Sequence, residues 1–151
     1  MTSKAAVQDF VTQRKLAIVG VSRRKKLKFG NLAFKELKSK GYKLFPVHPE
    51  AETIEGERCY PSLSALPEPV EGVLVVVPPA RTEQVVRDAA AAGIKRVWMQ
   101  QGAESSAAIK FCEEHGINVV HGECILMFAE PAGWYHRAHR WVWKLLGKLP
   151  K

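Results

Sequence analysis

Gly20-Val21-Ser22, followed at once by Arg23, Arg24, Lys25, Lys26 and Lys28, is the segment of this chain best equipped for chemistry. The apolar run Leu16-Ala17-Ile18-Val19 leads into the glycine. A buried strand that turns sharply at a glycine and re-enters as a helix is how α/β proteins hold phosphate. The backbone approaches the anion closely, and the start of the next helix, here at Gly30, presents unpaired N–H groups and a positive dipole end. Five cations between positions 23 and 28 suit a ligand with more than one phosphate. The default reading of such a run is a solvated loop, with one or two of the five touching ligand.

Two common phosphate motifs are absent. Gly20-Val21-Ser22-Arg23 keeps only the first glycine of G-x-G-x-x-G, and no GK[ST] follows. A dehydrogenase would place Asp or Glu at the end of its second strand to hold ribose hydroxyls, whereas here His48 stands between Val47 and Pro49, with Glu50 beyond. What remains is an adenine ligand carrying several phosphates. Elsewhere the chemistry is sparse. His121-Gly122-Glu123-Cys124 shares its opening with a zinc-deaminase motif, but no PCxxC follows, so no metal site is expected. No Ser–His–acid or Cys–His set can be assembled from the positions.

The elements that must position the loop repeat one grammar. Strands are expected at Leu16–Gly20, Tyr42–Val47, Val73–Val77, Lys95–Met99 and Ile117–His121, and helices near Gly30–Lys40, Arg81–Ala92 and Ser105–His115. Val73–Val77 is continuously apolar, as for a strand covered on both faces. Each helix stops on a glycine, at Gly41, Gly93 and Gly116. A short amphipathic helix is expected at Ala5–Thr12, an edge strand near Arg58–Tyr60 and a helical turn at Leu63–Leu66. Strand–helix alternation predicts a single α/β domain built on a Rossmann-like, doubly wound parallel sheet. Such a sheet has a crevice at the carboxyl ends of the first and third long strands, where Gly20–Gly30, Pro46–Glu50 and Val77–Ala80 converge. The rigid turns Pro46-Val47-His48-Pro49 and Val77-Pro78-Pro79 would wall a flat adenine.

Composition bounds the partners. The 151 residues carry a net charge of +8, but 23–28 and 136–151 hold five cations each and no acid. The rest therefore has 13 cations against 15 acids, or −2. Two local patches on a near-neutral body fit a compact anionic ligand, not nucleic acid. Cys59, Cys112 and Cys124 form no CxxC pair, which points to a reducing, cytoplasmic setting with buried thiols. No leader and no apolar run of roughly 18 residues is seen, so neither a signal peptide nor a spanning helix is expected.

From Arg14 to Cys124 the chain resembles the small, stand-alone CoA-binding proteins, whose domain is similar to the CoA-binding domain of the succinyl-CoA synthetase alpha subunit. The marks are Ile18–Ser22, Gly41-Tyr42 running to Pro46-Val47-His48-Pro49, Ile54–Leu63, Val97-Trp98-Met99-Gln100-Gln101-Gly102, and Cys124. The resemblance implies coenzyme A or acyl-CoA as ligand. It puts Gly20, Val21 and Ser22 on the pyrophosphate, assisted by nearby cations such as Arg23, Arg24 and Lys28. Val47, His48 and Pro49 would flank the adenosine, Val77 and Pro78 would line the chain entering the cleft, and Gln100 and Gly102 would close its rim. Two departures stand out: family members often carry Asn at the position of His48, and the third strand is bounded by Glu71-Gly72 and Val76-Val77 where an acid and an aromatic are usual.

A synthetase of that type needs a phosphorylatable histidine in a second domain and an ATP-binding partner, and this chain has room for neither. The expected function is therefore non-catalytic binding of CoA as carrier, sensor or regulatory module. The alternative is a small enzyme acting on a CoA thioester or related adenine nucleotide, with Cys124 or His48 as reactive group. Residues 1–128 form the expected domain and 129–151 a basic, aromatic helical extension. In that extension Trp134, Ala138, Trp141, Val142, Leu145 and Leu146 fall on one stripe. The stripe is expected to pack on the domain or on a second subunit; an anionic membrane surface is the competing partner.

Overall fold

Glycine decides where the helices stop. The computed structural model describes residues 3–22, 24 and 28–129. Arg23, Lys25, Lys26 and all of the C-terminal extension except Ala129 lie outside the described residues. In chain order the elements are α1 (Lys4–Val11), β1 (Lys15–Val19), α2 (Phe29–Ser39), β2 (Lys43–Val47), β3 (Thr53–Ile54) and β4 (Glu57–Arg58). A 3-10 turn at Leu63–Ala65 follows, then β5 (Gly72–Val75), α3 (Pro79–Ala91), β6 (Arg96–Gln100), α4 (Ser106–Glu114), β7 (Asn118–Glu123) and a second 3-10 turn at Ile125–Met127.

After α2, α3 and α4 the chain takes positive φ at Gly41, Gly93 and Gly116. The next N–H then bonds back across the helix end: Tyr42 to the Leu37 carbonyl at 3.2 Å, Ile94 to Ala89 at 2.9 Å and Ile117 to Cys112 at 2.9 Å. These are Schellman closures, and each launches a strand within one or two residues.

The five long strands form one parallel sheet in the order β2-β1-β5-β6-β7. The chain moves from β1 to one edge and then crosses back to place β5 on the other side of β1, so the winding reverses between β1 and β5. This is the Rossmann-like, doubly wound domain that the alternation predicts. Its two faces bury separate cores. On one, Leu16, Ile18, Leu74 and Trp98 meet α1 and α2 through Phe10, Phe34 and Leu37. On the other, Val73, Val75, Val97 and Met99 meet α3 and α4 through Val85, Val86 and Cys112. Trp98 is fully buried, with its ring near those of Phe10 and Phe128, and its indole N–H donates to the Glu123 carbonyl at 3.1 Å.

One expected element takes a different form. The region near Arg58–Tyr60 is not a full edge strand: β3 and β4 make a two-residue antiparallel hairpin, and Tyr60 alone bridges to Val47 beside β2. The hairpin turns on Glu55 and Gly56, both with positive φ, the geometry of a type I′ turn. Glu55 is the only non-glycine residue with positive φ among those described, and its side chain has a use that explains the strain.

Candidate functional site

β1 ends at Val19, and the chain leaves the sheet through Gly20 at φ +121°. The glycine is required by the neighbouring strand. A Cβ built here would sit 2.3 Å from the backbone oxygen of Val76, just past β5. Gly30 completes the contact from the other side, since its Cβ would fall 2.6 Å from the Gly20 oxygen. The two glycines therefore let loop, strand end and first turn of α2 meet backbone to backbone. A glycine that merely cleared space for an anion would carry no such clash, so the sequence reading found the position for an incomplete reason.

Ser22 is held by a residue that sequence reasoning missed. Asn31, in the first turn of α2, is fully buried. Its Oδ1 accepts from the Ser22 N–H at 2.8 Å, and its Nδ2 donates to the Ser22 carbonyl at 2.7 Å and to Glu55 Oε1 at 3.1 Å. Glu55 Oε2 in turn pairs with Lys35 at 3.1 Å. The unusual backbone of Glu55 thus brings a carboxylate from the hairpin onto the helix behind the loop. Both backbone groups of Ser22 are occupied, so what it can offer a ligand is its hydroxyl, which also accepts from the Arg24 N–H at 3.3 Å. Other donors come from α2, whose N-cap residue Lys28 makes no side-chain capping bond and whose first turn contains no acid.

His48 closes the second wall. Its Nδ1 accepts from the backbone N–H of Glu50 at 3.0 Å and of Ala51 at 3.2 Å. That nitrogen therefore carries no proton, and the ring N–H is on Nε2. An asparagine Oδ1 could accept the same pair of N–H groups.

Together these segments border a cleft of about 720 Å³. Its floor is Val19 to Ser22 with Lys28; Val47 to Glu50 form one side, and Val76 to Pro78 the other. Two groups that the sequence reading did not assign to the site join them: Pro61 to Leu63 around the first 3-10 turn, and Arg81, Gln84 and Asp88 on α3. Of the expected site residues, Gly20, Val21, Ser22, Lys28, Val47, His48, Pro49, Val77 and Pro78 line this cleft. Gly30 and Arg24 lie behind or beside the loop and do not line it, and Arg23 is outside the described residues.

Gln100 and Gly102 are not brought to the cleft either. Gln100 ends β6 and Gly102 lies in the turn after it, and β5 separates β6 from β1. The Gln100 side chain is buried and accepts from the Ile125 N–H at 3.1 Å, while the Gly102 N–H donates to Glu104 at 2.7 Å. Of the two candidate reactive groups, only His48 lines the cleft. Cys124 is buried and absent from the cleft lining, and burial pushes the Cys112 thiol up to about 11. Close to Cys124, burial raises the carboxyl of Glu123 to about 7, and among the described residues its buried Oε2 has no hydrogen-bond partner.

Fold and cleft together define a Rossmann-like domain with a crevice beside a glycine turn at its winding reversal. Residues 14–130 match the family described as CoA binding domain, and the chain belongs to that family. Among curated proteins it is 27% identical over 125 residues to an ADP-forming acetate–CoA ligase II of Archaeoglobus fulgidus, covering 75% of this chain and 18% of the ligase. It is 26% identical to the alpha subunit of the corresponding Pyrococcus furiosus ligase, covering 77% of this chain and 28% of that subunit. The chain thus spans less than a third of the length of these relatives. Among solved structures, a conserved hypothetical protein from Pyrococcus furiosus is 43% identical with a TM-score of 0.70, covering 74% of this chain and 96% of the other. No helix among the described residues is long and apolar enough to cross a membrane.

Proposed function

We propose that the chain binds CoA or acyl-CoA in the β1/β5 crevice and acts as a carrier, sensor or regulatory module without turning the ligand over. The observation that carries this reading is the composition of one cleft: a glycine turn at the start of a helix, Lys28 beside it, and two proline-stiffened apolar walls. The loop and Lys28 would take the diphosphate. Val47, His48 and Pro49 would flank the adenosine, with the Nε2–H of His48 as a donor toward it. Val77 and Pro78 would guide the pantetheine arm. Support for a non-catalytic role comes from the two candidate reactive groups: Cys124 does not line the cleft, and one nitrogen of His48 is committed to holding a turn.

Titration calorimetry with CoA, NAD and ATP tests this. CoA is expected to bind at least about tenfold more tightly than NAD, a difference of about 1.4 kcal/mol, because His48, and not an acid, directly follows β2. Equal or tighter binding of NAD would reverse the assignment. Release of free thiol from acetyl-CoA at an enzymatic rate would favour the alternative, a small enzyme acting on a CoA thioester.

A further inference from the structure

We propose that Arg81 recognises a phosphomonoester, the ribose 3′-phosphate, on the α3 wall of the crevice and so sets a preference for CoA over dephospho-CoA; this rests on the reading of the cleft as a CoA site. Among the described residues two cations line the cleft, Lys28 and Arg81. They arrive from opposite faces of the sheet. α2 packs with Phe34 and Leu37 in one core, and α3 with Val85 and Val86 in the other. A ligand lying across the crevice meets both.

Among the described residues Arg81 forms no ion pair with either acid of its own helix, although Asp88, like Glu50 on the opposite wall, also lines the cleft. Glu83 pairs with Arg87 at 2.9 Å, and Asp88 accepts from Gln84 at 2.9 Å. The base from which Arg81 projects is fixed: its N–H donates to the Pro78 carbonyl at 2.9 Å, and the adjacent Thr82 is fully buried with its hydroxyl on the Ala103 carbonyl at 2.6 Å. CoA is anionic at two separate places, the diphosphate bridge and the 3′-phosphate. Lys28, beside the glycine turn, matches the first. A guanidinium on the far wall matches the second, since its planar donors fit a phosphate end-group.

Calorimetry with CoA and dephospho-CoA on the wild type, Arg81→Gln and Arg87→Gln decides the matter, with circular dichroism confirming that each variant is folded. The wild type should favour CoA by about tenfold or more. Arg81→Gln should bring the two ligands within about twofold while leaving dephospho-CoA affinity unchanged, and Arg87→Gln should keep the wild-type ratio. An unchanged ratio in Arg81→Gln, or an equal loss for both ligands, would overturn the proposal. A wild type that binds neither ligand would remove the CoA reading itself, and this inference with it.

Discussion

Replacing Asn31 by Ala is expected to destabilise the protein by about 3–4 kcal/mol, one of the larger single-site losses available to a domain of this size. The side chain occupies no ligand space; its effect comes from three hydrogen bonds made by one fully buried amide. Removing it takes one partner each from the half-buried Ser22 N–H and carbonyl and from the Glu55 carboxylate, and each such bond is worth about 1 kcal/mol, more where the acceptor is charged. Asn31→Asp is expected to be no better. It retains the acceptor for the Ser22 N–H but loses both donations and sets a carboxylate against Glu55. Adding Glu55→Gln to Asn31→Asp should then recover part of the loss, a coupling that a double-mutant cycle in urea would measure. An Asn31→Asp protein as stable as the wild type would show that the network does not hold the loop.

The second large effect is a pH dependence centred on Glu123. Burial raises its carboxyl from 4.5 to about 7. Between those values the folded chain keeps a proton that the unfolded chain has released. The stabilisation from this site is therefore fully present below 4.5 and is lost as pH rises through about 7. The shift corresponds to roughly 3 kcal/mol. Glu123→Gln removes the titration and keeps the shape. Its stability relative to the wild type should rise by about that amount between pH 4.5 and 8. Subtracting one protein's profile from the other's removes the contributions of other carboxylates, including Asp9, where burial opposes but the hydrogen bonds from Arg96 and Asn118 and the charge of Arg96 prevail to lower the value. A flat difference across that range would mean that the carboxylate is solvated or paired.

What could be read from the sequence was local. The helix ends at Gly41, Gly93 and Gly116 follow from glycine's freedom at positive φ, and the strand runs from apolar patterning, so the sheet and its crevice could be placed before any coordinates. The glycine turn after β1 was legible for the same reason. What was not legible depended on contacts distant in sequence. Asn31 meets Glu55 across 24 positions, and only because Glu55 adopts a backbone conformation that its side chain disfavours. Gly20 answers to Val76, which no spacing rule connects to it. Gln100 ends a strand and Gly102 follows it on the correct side of the sheet, but strand order, not strand polarity, decides which loops share a cleft, and β5 intervenes. Arg81 appeared as one helical cation among several until its neighbours' partners were known.

The central claim is that CoA occupies the crevice between β1 and β5, and mapping amide chemical shifts during a CoA titration tests it most directly. The account predicts that the perturbed amides cluster at Gly20 to Ser22, at Val47 to Glu50 and at Val77 to Arg81, with Gln101 and Gly102 little affected. Perturbations concentrated instead around Gln100 to Glu104, with the glycine loop unchanged, would contradict it.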